Sequence, residues 1–131
     1  MKILVAEDEK DIRDLIVFTL REVAGHEVYE AANGADAVAW APAVGPDLIL
    51  LDVRMPKMNG YEACAQIKSI AQTREIPIVF LSAKGQESEI ATGLQTGAEA
   101  YILKPFAPDE LIAQVQVIMD NVERRRAQHS P

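Results

Sequence analysis

The stretch LILLDVRMP, residues 48–56, runs four apolar residues into an aspartate and then a loop-forming proline. An unbroken apolar run bounded by turn residues marks a strand buried on both faces, because a parallel sheet covered by helices offers neither side to water. Asp and Pro are poor strand residues, so the strand ends at about Asp52, with Met55-Pro56 and Asn59-Gly60 in the loop that follows. A carboxylate then stands at the carboxyl end of a central strand, the edge where open α/β sheets bind ligands. A strand-ending aspartate also serves as a plain turn cap. Only what else converges on that edge decides between the two.

Upstream, KILVA (2–6) is a short apolar run ending in EDE, and Ile12, Leu15, Ile16, Leu20 and Val23 follow at helical spacing, closed by Gly25. HEVYEA (26–31) alternates like a strand, NGADAVAWA (33–41) is alanine-rich and helical, and Pro42 and Pro46 bracket the next loop. Downstream, Asn59-Gly60 opens a helix with Tyr61, Cys64, Ile67 and Ala71 on one face, and IPIVFLS (76–82) is a fourth buried strand. A helix through Ile90 and Leu94 ends near Gly97, and AYILK (100–104) is a fifth strand. Pro108 opens a last helix through Leu111, Ile112, Val115, Ile118 and Val122. Five βα units with short connections predict a doubly wound α/β domain with a parallel sheet and right-handed crossovers.

The 131 residues suit one domain, here bounded at 1–120, with residues 121–131 as helix end or tail. Arg124 to Arg126 read either as cations favourable at a helix C-terminus or as the start of a linker to an output domain. A net charge of −7 argues against nonspecific binding to nucleic acid or anionic membranes, which needs basic patches. The single cysteine, Cys64, permits no internal disulfide and reads as a small core residue. No signal peptide or membrane-spanning run is evident, so the expected compartment is the cytoplasm.

The predicted strand ends bring Glu7, Asp8, Asp52, Ser82 and Lys104 to one edge. Separately, each has an ordinary role as a helix cap, a loop hydrogen-bonding group or a solvated lysine. Together they form a chemistry. Like charges about 4 Å apart repel by roughly 4 kcal/mol at an effective dielectric of 20, so clustered carboxylates take up protons or bind a cation. Mg²⁺ suits a small open oxygen site and invites a phosphoryl group, which a Ser hydroxyl and a Lys ammonium would help to hold. No Walker-type loop or GxGxxG follows the first strand, and His26 and His129 lie away from this edge. That leaves Asp52 as the nucleophile.

The motifs AEDE, LILLDVRMPKMNG, IPIVFLSA and AYILKPF, in this order over residues 2 to about 119, resemble the receiver domain of two-component response regulators. The resemblance implies a flavodoxin-like (CheY-like) sheet of order 2-1-3-4-5 and a phosphoacceptor switch. In it, Asp52 takes a phosphoryl group from a sensor histidine kinase or phosphotransfer protein. Asp8, Asp52 and the Arg54 backbone carbonyl would ligate Mg²⁺, or Mn²⁺ in its place, and Glu7 would act through water. Lys104 and Ser82 would bond phosphoryl oxygens, and Tyr101 matches the aromatic that turns inward in the active state. A downstream output domain or target protein, and phosphorylation-linked dimerisation through the face of the fourth helix, fifth strand and fifth helix, are also implied. The family's peptide before the matching proline is cis, which implies a cis Lys104-Pro105 bond.

Glu7 stands where aspartate is common, and Ala107 where a capping Ser or Thr is frequent. Arg54 and Lys84 occupy positions that tune phosphoryl lifetime in the family, and two basic residues there point to a long-lived phosphorylated state. The domain is expected to be no enzyme beyond promoting its own phosphorylation and dephosphorylation. Haloacid-dehalogenase-type phosphohydrolases need a second Asp where this chain has Arg54, and a silent binding module would not need the full set of five site residues.

Overall fold

The computed structural model describes residues 1–83 and 90–128. Five strands, β1 (Lys2–Ala6), β2 (Glu27–Ala31), β3 (Leu48–Asp52), β4 (Ile78–Ala83) and β5 (Ala100–Lys104), alternate with helices α1 (Lys10–Phe18), α2 (Gly34–Val44), α3 (Gly60–Ser69), α4 (Ile90–Gln95) and α5 (Pro108–Gln128). All strand pairs are parallel and the sheet order is β2-β1-β3-β4-β5. This is the doubly wound arrangement expected from the βα alternation.

The apolar run at 48–51 is explained by two cores. Leu48 and Leu50 pack with Ile3, Val5, Ile16, Leu20, Leu111 and Val115 on the α1/α5 side. Ile49 and Leu51 pack with Leu4, Ala6, Ala37, Ala41 and Ile67 on the α2/α3 side. Side chains alternate across a strand, so a strand covered twice must be apolar at every position. All five residues of β3, Asp52 included, are buried.

Local chemistry shifts several boundaries. The expected first helix changes pitch after Phe18, where a π-helical turn, Thr19–Val23, takes over. The wider turn buries Leu20 but leaves Val23 61% exposed, so the apolar spacing overstates that helix's core face. Pro42, expected in a loop, lies inside α2, which continues to Val44 and is closed by left-handed Gly45. Its ring faces solvent while Ala37 and Ala41 hold the helix on the sheet. β4 begins at Ile78 rather than 76, directly after Pro77, which has no N–H to donate to the ladder. α3 stops at Ser69, short of Ala71, and the Thr73 hydroxyl donates to the Ile67 carbonyl at 2.7 Å. α5 runs on through Arg124 to Gln128, with Val122 buried, Arg125 paired to Glu99 and Arg126 Nη2 donating to the Glu75 carbonyl at 2.8 Å.

Candidate functional site

Each site residue stands at the carboxyl edge because its strand ends there. Glu7 and Asp8 follow β1, Asp52 closes β3, Ser82 sits near the end of β4 and Lys104 closes β5. Strand register sets their depth, with Asp52 beside Leu81, Ser82 beside Leu103 and Ala83 beside Lys104. Lys104 reaches across the end of β4, and its Nζ donates to Asp52 Oδ1 at 2.9 Å and Glu7 Oε1 at 3.1 Å. Glu7, Asp52 and Ser82 are buried, whereas Asp8 is exposed.

One carboxylate oxygen from each of Glu7, Asp8 and Asp52 lies within 4.8 Å of the others. The all-oxygen donor set suits a hard divalent cation and offers no thiolate or imidazole to a softer one. Burial, reinforced by the Asp52 carboxylate beside it, pushes the Glu7 carboxyl up to about 8, and Lys104 offsets this only in part. Burial also works to discharge Lys104, but the hydrogen bonds and charges of Asp52 and Glu7 outweigh it and raise its pKa. Without a metal, the buried Glu7 carboxyl thus keeps its proton beside Asp52 at neutral pH, and a divalent cation at the three carboxylates would favour the ionised form.

The β3–α3 loop is held close to Asp52. The Val53 N–H donates to the Leu81 carbonyl and the Gly60 N–H to the Val53 carbonyl, at 3.2 and 2.9 Å. Asn59 caps α3 in a reciprocal capping box with Glu62. A Cβ on Gly60 would overlap the carbonyl oxygen of Asp52 itself, so the helix start can approach the site only as glycine. Arg54 is exposed beside Met55, Asn59 and Tyr61 at the mouth of this loop. Tyr101 is 39% exposed on β5, next to an apolar groove formed with Ala113 and Val117 of α5. The Lys104-Pro105 peptide is cis. Lys84 lies outside the described residues.

Arg13 was not singled out from the sequence. It sits among the helical apolar positions of α1, where no spacing rule marks it, yet its Nη1 donates to the Glu7 carbonyl at 2.8 Å. Phe80 is likewise a core residue with a neighbour invisible in the sequence, meeting Tyr61 edge-on with ring centroids 5.1 Å apart.

The family model for the response regulator receiver domain matches residues 3–116, and the chain belongs to that family. It is 41% identical over 121 residues to the phosphate regulon transcriptional regulatory protein PhoB of Escherichia coli K12, an alignment covering 92% of this chain and 52% of PhoB. It is also 41% identical over 122 residues to the alkaline phosphatase synthesis transcriptional regulatory protein PhoP of Bacillus subtilis, covering 93% of this chain and 50% of PhoP. The chain thus spans about half the length of these curated relatives. Among solved structures it is similar to a putative response regulator from Chloroflexus aurantiacus, with TM-score 0.85 and 33% identity over 91% of this chain and 97% of that one. The chemotaxis response regulator CheY4 of Vibrio cholerae gives TM-score 0.84 and 33% identity, covering 89% and 97%. Receiver domains bind Mg²⁺ at an acidic cluster, and Glu7, Asp8 and Asp52 form such a group here.

Proposed function

We propose that this receiver domain is a phosphoacceptor switch in which Asp52 is the residue phosphorylated. The observation that carries the reading is the Lys104 ammonium bonded to Asp52 and Glu7 at once, beside three carboxylates with oxygens within 4.8 Å of one another. An Asp52 oxygen attacks the phosphorus of a phosphohistidine on a sensor kinase or phosphotransfer protein. The new P–O bond forms as the P–N bond breaks, and the electron pair returns to the imidazole, which takes up a proton from solvent. Asp8, Asp52 and the Arg54 carbonyl would hold Mg²⁺ or Mn²⁺ and Glu7 would act through water; the ion, when bound, neutralises charge on the phosphoryl oxygens.

Lys104 is already within bonding distance of the nucleophile, so its contact transfers to a phosphoryl oxygen with little motion. Phosphorylation adds about −1.5 to −2 charge and three strong acceptors, and bonds to Ser82 and Lys104 favour one of two loop arrangements. Ser82 and Tyr101 relay that change to the α4-β5-α5 face, where an output domain, a target protein or a second copy responds. The domain turns over no separate substrate and promotes only its own phosphorylation and dephosphorylation. It does not contact nucleic acid directly, and its compartment is the cytoplasm. Arg54 adds positive charge at the mouth and lengthens the phosphorylated lifetime; a decay rate unchanged in Arg54→Ala would remove that part of the reading.

The test is the intact mass of the protein after incubation with phosphoramidate and Mg²⁺. A gain of one phosphoryl group that a chelator abolishes supports the switch. No gain with any small phosphodonor would point instead to a silent binding module.

A further inference from the structure

We infer that Arg13 is a positioning residue for the acidic metal cluster, acting through the backbone of the β1–α1 loop. Two bonds define its place: Nη1 donates to the Glu7 main-chain carbonyl at 2.8 Å, and Nε donates to Glu30 Oε1 of β2 at 3.1 Å. The side chain is only 15% exposed.

The consequence lies in the peptide that joins Glu7 to Asp8. The Glu7 N–H donates to the Ala31 carbonyl of β2 at 3.1 Å, so its amide is held by the sheet. Arg13 holds its carbonyl. With both ends fixed, the plane of the next peptide is fixed too, and that plane sets the direction in which Asp8 leaves the chain relative to Glu7. One of these carboxylates is buried and the other exposed, so a small rotation of the peptide would separate oxygens that now lie within 4.8 Å. Glu30 in turn aims the guanidinium, and its charge compensates a cation held away from water.

The geometry needs a fork. A guanidinium offers Nε and Nη donors in fixed relation, so one side chain can bond a carboxylate on β2 and a carbonyl on the loop together. A lysine would keep the positive charge near the cluster but present a single point donor. Arg13→Lys therefore separates position from charge.

This inference rests on the acidic cluster being a metal site, and the experiment distinguishes the two. Mg²⁺ affinity is measured by titration calorimetry for the parent, Arg13→Ala and Arg13→Lys, with urea midpoints recorded without metal. Outer partners of ligating groups typically matter by 10–100-fold in affinity. Both variants are expected to bind Mg²⁺ about tenfold more weakly, with Arg13→Lys keeping the parent's urea midpoint. Parent-like affinity in Arg13→Lys would overturn the inference, since charge alone would then suffice, and it decides the matter even if Arg13→Ala fails to fold. A parent that binds no Mg²⁺ would overturn the metal-site reading and this inference with it.

Discussion

Lys104 Nζ and Asp52 Oδ1 are 2.9 Å apart although their residues end strands that are not neighbours, with β4 between them. In the proposed switch this contact would make the lysine a competitor for the carboxylates before phosphorylation and a partner for the phosphoryl group after it. Lys104→Met is expected to slow phosphorylation by roughly 10–100-fold, the worth of a charge-assisted hydrogen bond of about 1.5–3 kcal/mol. Mg²⁺ affinity should not fall, because a competing cation has been removed. Parallel loss of both, by stopped-flow phosphorylation and Mg²⁺ titration, would show that Lys104 builds the metal site instead.

The Glu7 carboxyl, raised from 4.5 to about 8 by burial and by Asp52, gives the metal-free protein a pH signature. Between those values the folded state binds more protons than the unfolded one, so stability falls as pH rises through that window and is fully present below it. Saturating Mg²⁺ stabilises the ionised cluster and flattens the slope. Urea midpoints across the range, with and without Mg²⁺, should show this, and Glu7→Gln should flatten the metal-free slope on its own. A Glu7→Gln profile as steep as the parent's would place the titration elsewhere.

Gly60→Ala tests how tightly α3 is drawn against Asp52. The added methyl would meet the Asp52 carbonyl oxygen, which is backbone and cannot step aside cheaply. Overpacking of this kind costs about 1–3 kcal/mol. Urea unfolding should show that loss together with slower phosphorylation, since the displaced atom belongs to Asp52. Unchanged values for both would mean that the loop yields freely.

The Arg125–Glu99 pair is expected to matter little for stability. Arg125 is half exposed, and exposed ion pairs contribute about 0.2–1 kcal/mol. Arg125→Ala should therefore move the urea midpoint only slightly, and less in high salt. A loss above about 2 kcal/mol would mean that the last turns of α5 are anchored mainly by this pair rather than by Val122, beyond the ordinary range for such contacts.

The fold was legible because period and punctuation agree. Leu48–Leu51 read as a doubly covered strand, and each is buried. Gly25 and Gly97, placed at helix ends from sequence, both have positive φ. The edge that gathers Glu7, Asp8, Asp52, Ser82 and Lys104 was legible too, since βα alternation alone dictates where parallel strands end. What stayed hidden depends on the third dimension. The π-helical turn at Thr19–Val23 replaces a continuous apolar stripe with one that rotates away from the core. Pro42 sits inside α2 because alanines pack that helix onto the sheet. Arg13 folds back on a carbonyl with no sequence signal of its own, and Gly60 is required by a backbone atom eight positions earlier.

A phosphoryl group on Asp52 would be an acyl phosphate, which is open to reduction. After phosphorylation with phosphoramidate and Mg²⁺, borohydride reduction converts an aspartyl phosphate to homoserine, and peptide mass spectrometry locates the change. Homoserine is expected at position 52 and nowhere else, with none in a metal-chelated control. Reduction at Asp8 or Glu7, or a phosphoryl group that resists borohydride as a serine ester would, contradicts it.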